Sequence, residues 1–390
     1  MSRLTPRLAV LTALASVALV ACGAGTTPDG ASTTGTGTDE QETIDEGAAP
    51  VGEPVLACGE PVEGFAVTHD ADGEPLPERT GGTTAGGLLT EPTTAVVGDD
   101  HVHPVTTDPQ PQLPVTVESC DGETVEVTDT SRILAVDLYG TLAEIVFSLG
   151  LGENVVGRDT STGFPEAADL PVVTPGAHDL NAEAILSLDP SVVLTDATIG
   201  PTEVQLQLRD AGIPVIFFDD VRSMDTIPTQ IRAVAGALGV PEAGEELVTR
   251  TQEEITAALD ETPVPDEAPG VAFLYLRGGT VQLLGGPGSG ADSLIAAIGA
   301  RDVGTEIGLE RPFTQITAET MVSVQPDVLL LMSAGLESVG GPEGLLLVPG
   351  LAQTGAAQEG RVVDMDDTDL LSFGPRTGRV VAALAEAVYE

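Results

Sequence analysis

The chain is 390 residues long and carries 61 acidic residues against 15 basic ones, which gives a formal net charge of -46 at pH 7. Every basic residue is an arginine. A protein that binds nucleic acid needs a basic surface for the phosphates, so this composition excludes nucleic acid as a partner.

The first 21 residues are predicted to be a secretion signal. Arg3 and Arg7 precede an apolar run, 8–20, which is shorter than the ~20 residues that a membrane-spanning helix needs. The run ends at Leu-Val-Ala-Cys, 19–22, which resembles the lipobox of bacterial lipoproteins; an ordinary signal peptide with an incidental cysteine is the alternative. We therefore expect the mature chain to begin at a lipid-modified Cys22, anchored on the extracytoplasmic face of the cell membrane.

Residues 22–112 are predicted to form a disordered acidic tether. Between 23 and 112 there are seventeen acidic residues against Arg79 alone, and Thr, Gly and Pro fill much of the rest. Outside the cytoplasm Cys58, in the tether, and Cys120, beyond it, could form one disulfide or remain free thiols.

An α/β fold with two lobes is predicted from residue 113 onward. Alternating residues in 115–118 and 124–127 indicate a β-hairpin, after which short β-branched runs alternate with amphipathic stretches, as is typical of a parallel α/β sheet. Two helical patterns follow each other between 226 and 260, and the alternation resumes at 271. We assign 113–238 to a first Rossmann-like lobe, 239–268 to a linking helix and 269–390 to a second lobe.

An internal repeat supports this two-lobe plan. Residues 180–194 (LNAEAILSLDPSVVL) resemble residues 316–330 (ITAETMVSVQPDVLL), and each copy contains a helix cap, a short helix, a proline turn and a strand. Because small-molecule sites favour domain interfaces, we expect a ligand in the cleft between the lobes.

Motifs for catalysis are scarce. No nucleophile elbow, phosphate-binding loop or HExxH pair is present. The glycine-rich loop 285–293 could serve a surface enzyme through Ser289 or Asp292, but a tight turn explains it equally well and a general base is missing. We therefore expect no enzymatic activity.

Two single residues could hold a metal-containing ligand. His178 is the only histidine beyond the tether and lies in a loop between a strand and a helix. Strand alternation places Tyr275 and Arg277 on one face, and a neighbouring arginine favours the phenolate form of a tyrosine, which is a hard anionic ligand for ferric iron. A surface histidine and a core tyrosine without such roles are the alternatives.

Four segments carry a resemblance to a known family. Together they resemble the haem-transport substrate-binding lipoproteins of actinobacteria, in matching order and over nearly all of 115–390, within the wider family that delivers haem, siderophores or cobalamin to ABC importers. The segments are 133–142 (ILAVDLYGTL), 155–162 (VVGRDTST), 180–183 (LNAE) and 371–377 (LSFGPRT).

The resemblance implies a ligand and its contacts. In that family ferric haem is the transported cargo, and its iron is held between a histidine of one lobe and a tyrosine of the other, with an arginine beside the tyrosine; His178, Tyr275 and Arg277 match these positions. Met332 matches a methionine that approaches the haem. The sequence departs from the pattern at 281–284, which is aliphatic where relatives carry aromatic residues.

The resemblance also implies a partner. One acidic residue on each lobe, matched here by Glu183 and Glu319, docks into arginine pockets of the permease in the wider family, although acids are also common in the first turn of a helix. We expect a monomeric carrier. The alternatives are a ferric-siderophore or cobalamin binder, or a surface haem relay without an importer. For a binder of those two ligands, the cleft contacts would be Arg158, Arg222 and Arg376.

Overall fold

A computed structural model describes residues 53–76, 87–176, 178–263 and 267–389. The predicted secretion signal and Cys22 lie outside the described residues. Two short strands, β1 (Val55–Leu56) and β2 (Thr93–Ala95), precede the two lobes.

The first lobe contains a four-stranded parallel sheet in the order β6-β5-β7-β8. The antiparallel hairpin β3–β4 adds to β1 and confirms the hairpin predicted at 115–127. The elements are β3 (Val115–Glu118), β4 (Thr124–Val127), β5 (Ile133–Val136), α1 (Thr141–Ser148), β6 (Val155–Gly157), α2 (Ala182–Ser187), β7 (Val192–Thr195), α3 (Thr202–Asp210) and β8 (Val215–Phe217).

Two consecutive helices, α4 (Ile227–Ala237) and α5 (Pro241–Glu261), connect the lobes. The turn between them depends on Gly239, which has a φ of 73° and lies so close to the backbone of Gln112 that a Cβ atom would stand 2.7 Å from its carbonyl oxygen. Pro241 occupies the first turn of α5, where its missing N–H costs no hydrogen bond.

The second lobe is a mixed sheet in the order β12-β10-β9-β13-β14-β2, with β11 also paired to β9. The parallel strand pairs in the sheets of both lobes confirm the predicted α/β fold class. The elements are β9 (Gly270–Arg277), β10 (Val281–Gly285), α6 (Ala291–Ala297), β11 (Arg301–Asp302), α7 (Val303–Glu306), β12 (Phe313–Gln315), α8 (Ala318–Val324), β13 (Val328–Met332), α9 (Ser333–Ser338), α10 (Gly341–Leu345), α11 (Gly355–Gln358), β14 (Val362–Met365) and α12 (Thr377–Val388).

The prediction of a disordered tether is wrong for 53–76 and 87–112, which we call the N-terminal strap. β1 pairs with the first lobe and β2 with the second, and Phe65 and Val102 are buried in the core. An acidic segment of low hydrophobicity has too little apolar surface to build a core of its own. The strap needs no core of its own, because its strands pair with the lobes and its few apolar side chains are buried in the core of the lobes.

The strap is fastened to both lobes. Cys58 and Cys120 form a disulfide, with their Cα atoms 5.3 Å apart, which ties the strap to the first-lobe hairpin. Further along, Glu166 of the first lobe accepts hydrogen bonds from the Val102 amide (3.0 Å) and bonds to the ring of His101 (2.6 Å). Arg376 of the second lobe donates to the carbonyl of Asp100 (3.2 Å). The strap therefore bridges the lobes beside their interface.

The helices of the described residues include none that combines the length and the apolar character needed to cross a lipid bilayer.

Candidate functional site

A cavity of about 430 Å³ lies between the lobes. It is lined from the first lobe and from the second by apolar, hydroxyl and aromatic side chains with one arginine and one carboxylate. The lining residues are Leu138, Tyr139, Thr160, Ser161, His178, Tyr275, Arg277, Leu283, Phe313, Met332, Asp367, Thr368 and Leu371.

His178 reaches this cavity from the loop between β6 and α2. The loop is fixed on its C-terminal side, where the Leu180 amide donates to the Gly200 carbonyl (2.7 Å) and the Asn181 amide to the Val173 carbonyl (2.9 Å). The histidine is exposed, and its side chain forms no hydrogen bond among the described residues. Its ring is therefore free to take a ligand.

Tyr275 and Arg277 face the cavity from β9, as strand alternation predicts. The guanidinium of Arg277 lies 4.5 Å from the ring centroid of Tyr275, within the range of a cation–π contact. Arg277 also donates to the carbonyl of Leu276 (2.9 Å), and its Nη2 is 3.8 Å from the sulfur of Met332. These contacts hold the positive charge against the face of the tyrosine ring.

Asp367 is a site residue that the sequence reasoning missed. Its Oδ2 accepts from Arg277 Nη2 (2.7 Å), and its Oδ1 accepts from the Ala334 amide (3.0 Å) at the start of α9. The carboxylate therefore fixes Arg277 and balances its charge. The run of acids directly after β14, at the carboxyl end of a strand, was the available signal.

An aromatic wall is present in the second lobe even though 281–284 is aliphatic. Leu283 lines the cavity, but Phe313 of β12 packs edge-on against Tyr275, with ring centroids 5.7 Å apart. β12 pairs with β10, so the aromatic ring comes from the neighbouring strand. Met332 is 5% exposed and lines the same wall, at the end of β13.

Tyr139 is a second lining residue that was overlooked. Its backbone amide donates to Asp137 (2.9 Å), and the guanidinium of Arg222 lies 5.1 Å from its ring centroid. Burial raises the pKa of the Tyr139 hydroxyl above 10, so it remains protonated at neutral pH. Tyr139 lies three positions after the carboxyl end of β5, where ligands of α/β sheets commonly bind, and this position was the available signal.

Arg158, Arg222 and Arg376, the cleft contacts expected for a siderophore or cobalamin binder, have partners within the protein. None of them lines the cavity. The Arg222 guanidinium pairs with buried Asp196, and Arg376 with Glu144 (3.3 Å) and Asp369 (3.1 Å).

Arg158 donates instead to the carbonyls of Asp159 (3.1 Å) and Thr162 (3.3 Å). In a low-dielectric interior, an arginine neutralised by a carboxylate is costly to remove from its partner, as holds for Arg222 and Arg376. All three side chains are therefore engaged within the protein.

The wall of the first lobe is supported by buried carboxylates. Asp159 accepts from the amides of Asp137 (2.9 Å) and Thr162 (2.7 Å), which anchors the segment 160–162 that lines the cavity. Burial, and secondarily the charge of Asp137, raise the pKa of Asp159 from 3.8 to about 7. The same two causes raise the pKa of Asp196 to about 6.

Glu183 and Glu319 occupy equivalent, exposed positions in the first turns of α2 and α8. Each helix has the predicted cap, since the Ala184 amide donates to the side chain of Asn181 (2.8 Å) and the Thr320 amide to Thr317 (3.1 Å). Neither glutamate forms an ion pair with any residue that the structure describes.

The glycine-rich loop forms a tight turn before α6. The Gly288 amide donates to Asp292 (2.8 Å), and Ser289 is 4% exposed. The serine is therefore buried, and the carboxylate of Asp292 is engaged in its own turn.

The family model described as "Periplasmic binding protein" matches residues 136–368. Among solved structures, the heme binding protein HmuT is 40% identical, and the alignment covers 77% of this chain and 98% of that one with a TM-score of 0.72. Further structures of HmuT carry alanine in place of a histidine, an arginine or a tyrosine.

Curated relatives are more distant. The uncharacterized ABC transporter substrate-binding lipoprotein YvrC of Bacillus subtilis is 25% identical over 281 residues, which are 71% of this chain and 86% of the relative. A cobalamin-binding protein of Halobacterium salinarum is 26% identical over 281 residues, 71% of this chain and 74% of the relative.

Proposed function

Since the chain belongs to the periplasmic binding protein family, we propose that it is the substrate-binding component of an ABC importer and that its cargo is ferric haem. The family resemblance expected from the sequence is confirmed, and its members are carriers rather than enzymes. The protein acts as a monomer that captures haem in the cavity between its lobes and delivers it to a permease.

One observation carries the assignment of the cargo. His178 of the first lobe and Tyr275 of the second line a single cavity, and Arg277 lies against the tyrosine ring. An imidazole from one lobe and a tyrosine oxygen from the other are both known ligands of haem iron. The apolar side chains of Leu283, Phe313 and Met332 suit its flat faces.

Haem capture then follows from the roles of these side chains. Ferric haem is the cargo, and His178 and Tyr275 supply its axial ligands. Arg277 lies against the ring of that tyrosine, and Asp367 keeps the arginine in place. The relative HmuT supports this proposal, because it is named a heme binding protein and its solved variants replace the same three residue types.

Hemin titration tests the proposal. The wild-type protein should bind hemin with a defined Soret band, and His178→Ala and Tyr275→Phe should each change the band and weaken binding at least about tenfold, because each removes one bond to the iron. Tyr275→Phe keeps the ring that packs on Phe313, so the loss reports on the oxygen.

Tyr389→Phe is the matched control for the tyrosine variant. Its hydroxyl donates to the Ile298 carbonyl (2.9 Å), remote from the cavity, so the control should bind hemin as the wild type does. A wild-type protein without a Soret band would reject haem as the cargo. An unchanged band in both ligand variants would reject the ligand assignment.

A cobalamin binder is the second candidate, favoured by the relative from Halobacterium salinarum that carries this name. Against it stand the three arginines expected to hold such a ligand, which are bound within the protein and do not line the cavity. Parallel titration with cyanocobalamin distinguishes the two cargoes.

We infer further that Glu183 and Glu319 dock on the permease. Their exposure, their equivalent positions on the two lobes and the lack of an ion-pair partner among the described residues support this role. A relay that passes haem between surface proteins would not need such a pair.

The lipid anchor at Cys22 is also part of the proposal. It rests on the lipobox-like run 19–22, with support from the relative YvrC, which is named a lipoprotein. Expression of Cys22→Ser should move the protein from the membrane fraction to the soluble fraction. Retention on the membrane would contradict the anchor.

A further inference from the structure

The charges on the cavity wall cancel each other. Among the lining residues that the structure describes, Arg277 is the only cation and Asp367 the only carboxylate, and the two are paired at 2.7 Å. Ferric porphyrins of the haem type carry carboxylate side groups. The wall therefore offers such a group no unpaired positive charge, and any recognition of it depends on neutral donors.

Apart from Tyr275, which we propose as an iron ligand, two hydroxyl groups of the lining are free to donate. Those of Thr160 and Thr368 already bond to neighbouring oxygen atoms. The hydroxyls of Tyr139 and Ser161 have no hydrogen-bonding partner within the described part of the chain, although Ser161 is only 8% exposed. Neither oxygen is among the fully buried polar atoms of the described residues, so both hydroxyls are accessible from the cavity and can donate to a ligand that supplies an acceptor.

Tyr139 and Ser161 come from different segments, and Gly140 brings these segments together. Gly140 has a φ of 75°, and a Cβ atom on it would stand 2.6 Å from the carbonyl oxygen of Ser161. Only glycine allows this approach at such a backbone angle. The two lining hydroxyls therefore project from adjacent stretches of the first-lobe wall.

Two backbone donors beside these hydroxyls are already engaged. The amides of Thr141 (3.1 Å) and Leu142 (2.8 Å) at the start of α1 are taken by the carboxylate of Asp137. Tyr139 is held by its own amide bond to Asp137 and by the stacked Arg222. Because burial raises the pKa of the Tyr139 hydroxyl, that group stays protonated and can donate a hydrogen bond to an anion.

We propose that Tyr139 and Ser161 form a carboxylate subsite, in which two neutral hydroxyl donors receive a carboxylate side group of the porphyrin cargo. The proposal rests on the proposed haem-carrier function. Hydrogen bonds to a charged acceptor are stronger than those between neutral groups. The subsite therefore selects a porphyrin with free carboxylates and orients it in the cavity. The bonds from His178 and Tyr275 to the iron hold the centre of the porphyrin.

The test compares ferric protoporphyrin IX with its dimethyl ester, both added to the full-length protein from the same solvent. Tyr139→Phe and Ser161→Ala should each weaken binding of the free acid about tenfold. Neither should change binding of the ester by more than about twofold, because the ester has no carboxylate to receive. The Soret band of each variant should match that of the wild type, since the iron ligands are intact.

Tyr389→Phe again serves as the control and should bind both porphyrins as the wild type does. An equal loss for acid and ester in Tyr139→Phe would overturn the subsite, because it would mean that the hydroxyl supports the wall and not the ligand. Unchanged binding of the acid in both variants would overturn it as well. Failure of the wild type to bind the free acid at all would instead reject the haem-carrier function.

Discussion

Asp159 is a single buried residue that supports the cavity wall, although burial makes its charged form unfavourable. Its carboxylate holds the backbone of the segment that carries Thr160 and Ser161, and it lies near the charge of Asp137. Burial makes its ionised form unfavourable, so that its pKa rises from 3.8 to about 7. At neutral pH the folded protein therefore holds a carboxylate that is partly protonated.

This shift predicts the direction of a pH dependence. Between pH 4 and 7 the folded state binds more protons at Asp159 than the unfolded state does, so the free energy of unfolding falls as the pH rises through this window. The loss is on the order of a few kcal/mol. Asp159→Asn imitates the protonated form, and its melting temperature should decline less between pH 4 and 8 than that of the wild type.

Calorimetry across this pH range measures the difference in slope. Asp196, whose pKa is raised to about 6, leaves a residual decline in the variant. Asp210→Asn, at an exposed position of α3, is the control and should keep the wild-type slope. A parallel decline in Asp159→Asn and the wild type would contradict the assignment.

The residues of the site differ in how far the sequence could reveal them. Residue type and strand alternation indicate His178, Tyr275 and Arg277, the family resemblance adds Met332, and the structure brings all four to one cavity. Asp367 belongs to the site through a hydrogen bond across ninety positions of the chain. Spacing along a sequence contains no information on such a pairing until the order of the strands is known.

At the level of elements, periodicity predicts what is local. The repeat at 180–194 and 316–330 folds twice into a capped helix and a strand, because cap, helix and turn each depend on residues within one or two turns.

The strap escaped prediction for the opposite reason. β2 is only three residues long and finds its partner, β14, some 270 positions away. Composition indicates whether a segment can fold by itself. The strap is ordered by its contacts with the two lobes, which composition does not reveal.

The strap also affects how the lobes can move. It joins the first lobe through β1, the disulfide and Glu166, and the second lobe through β2 and Arg376. A separation of the lobes would have to break hydrogen bonds along this bridge, in addition to those between Ser372 and Thr141 at the interface. These contacts therefore oppose a wide separation of the lobes.

At the scale of the whole molecule, Glu183 and Glu319 form two equivalent acidic positions, one on each lobe. Their helices begin a few residues after side chains that line the cavity. α2 begins at Ala182, four positions after His178, and α8 at Ala318, five positions after Phe313. A partner that contacts both helices is therefore placed near the mouth of the cavity. This arrangement suits a permease that receives the cargo directly.

Charge reversal separates this docking from the general attraction of a very acidic protein to a cationic partner. Glu183→Arg and Glu319→Arg should each reduce haem delivery to the importer in proteoliposomes by more than about tenfold, because a like charge facing an arginine pocket costs several kcal/mol. Hemin affinity, measured by titration of the same variants, should not change. The double variant should abolish delivery.

The chain offers controls with the same change of charge. Glu203 and Glu343 are exposed acids in the first turns of α3 and α10, one on each lobe. If the overall charge of -46 drove the encounter, Glu203→Arg and Glu343→Arg would reduce delivery as much as the docking variants do, and the effect of all four would fade together at high salt. Docking at two defined points requires instead that the controls deliver haem at the wild-type rate, so equal losses in both sets would reject the role of Glu183 and Glu319.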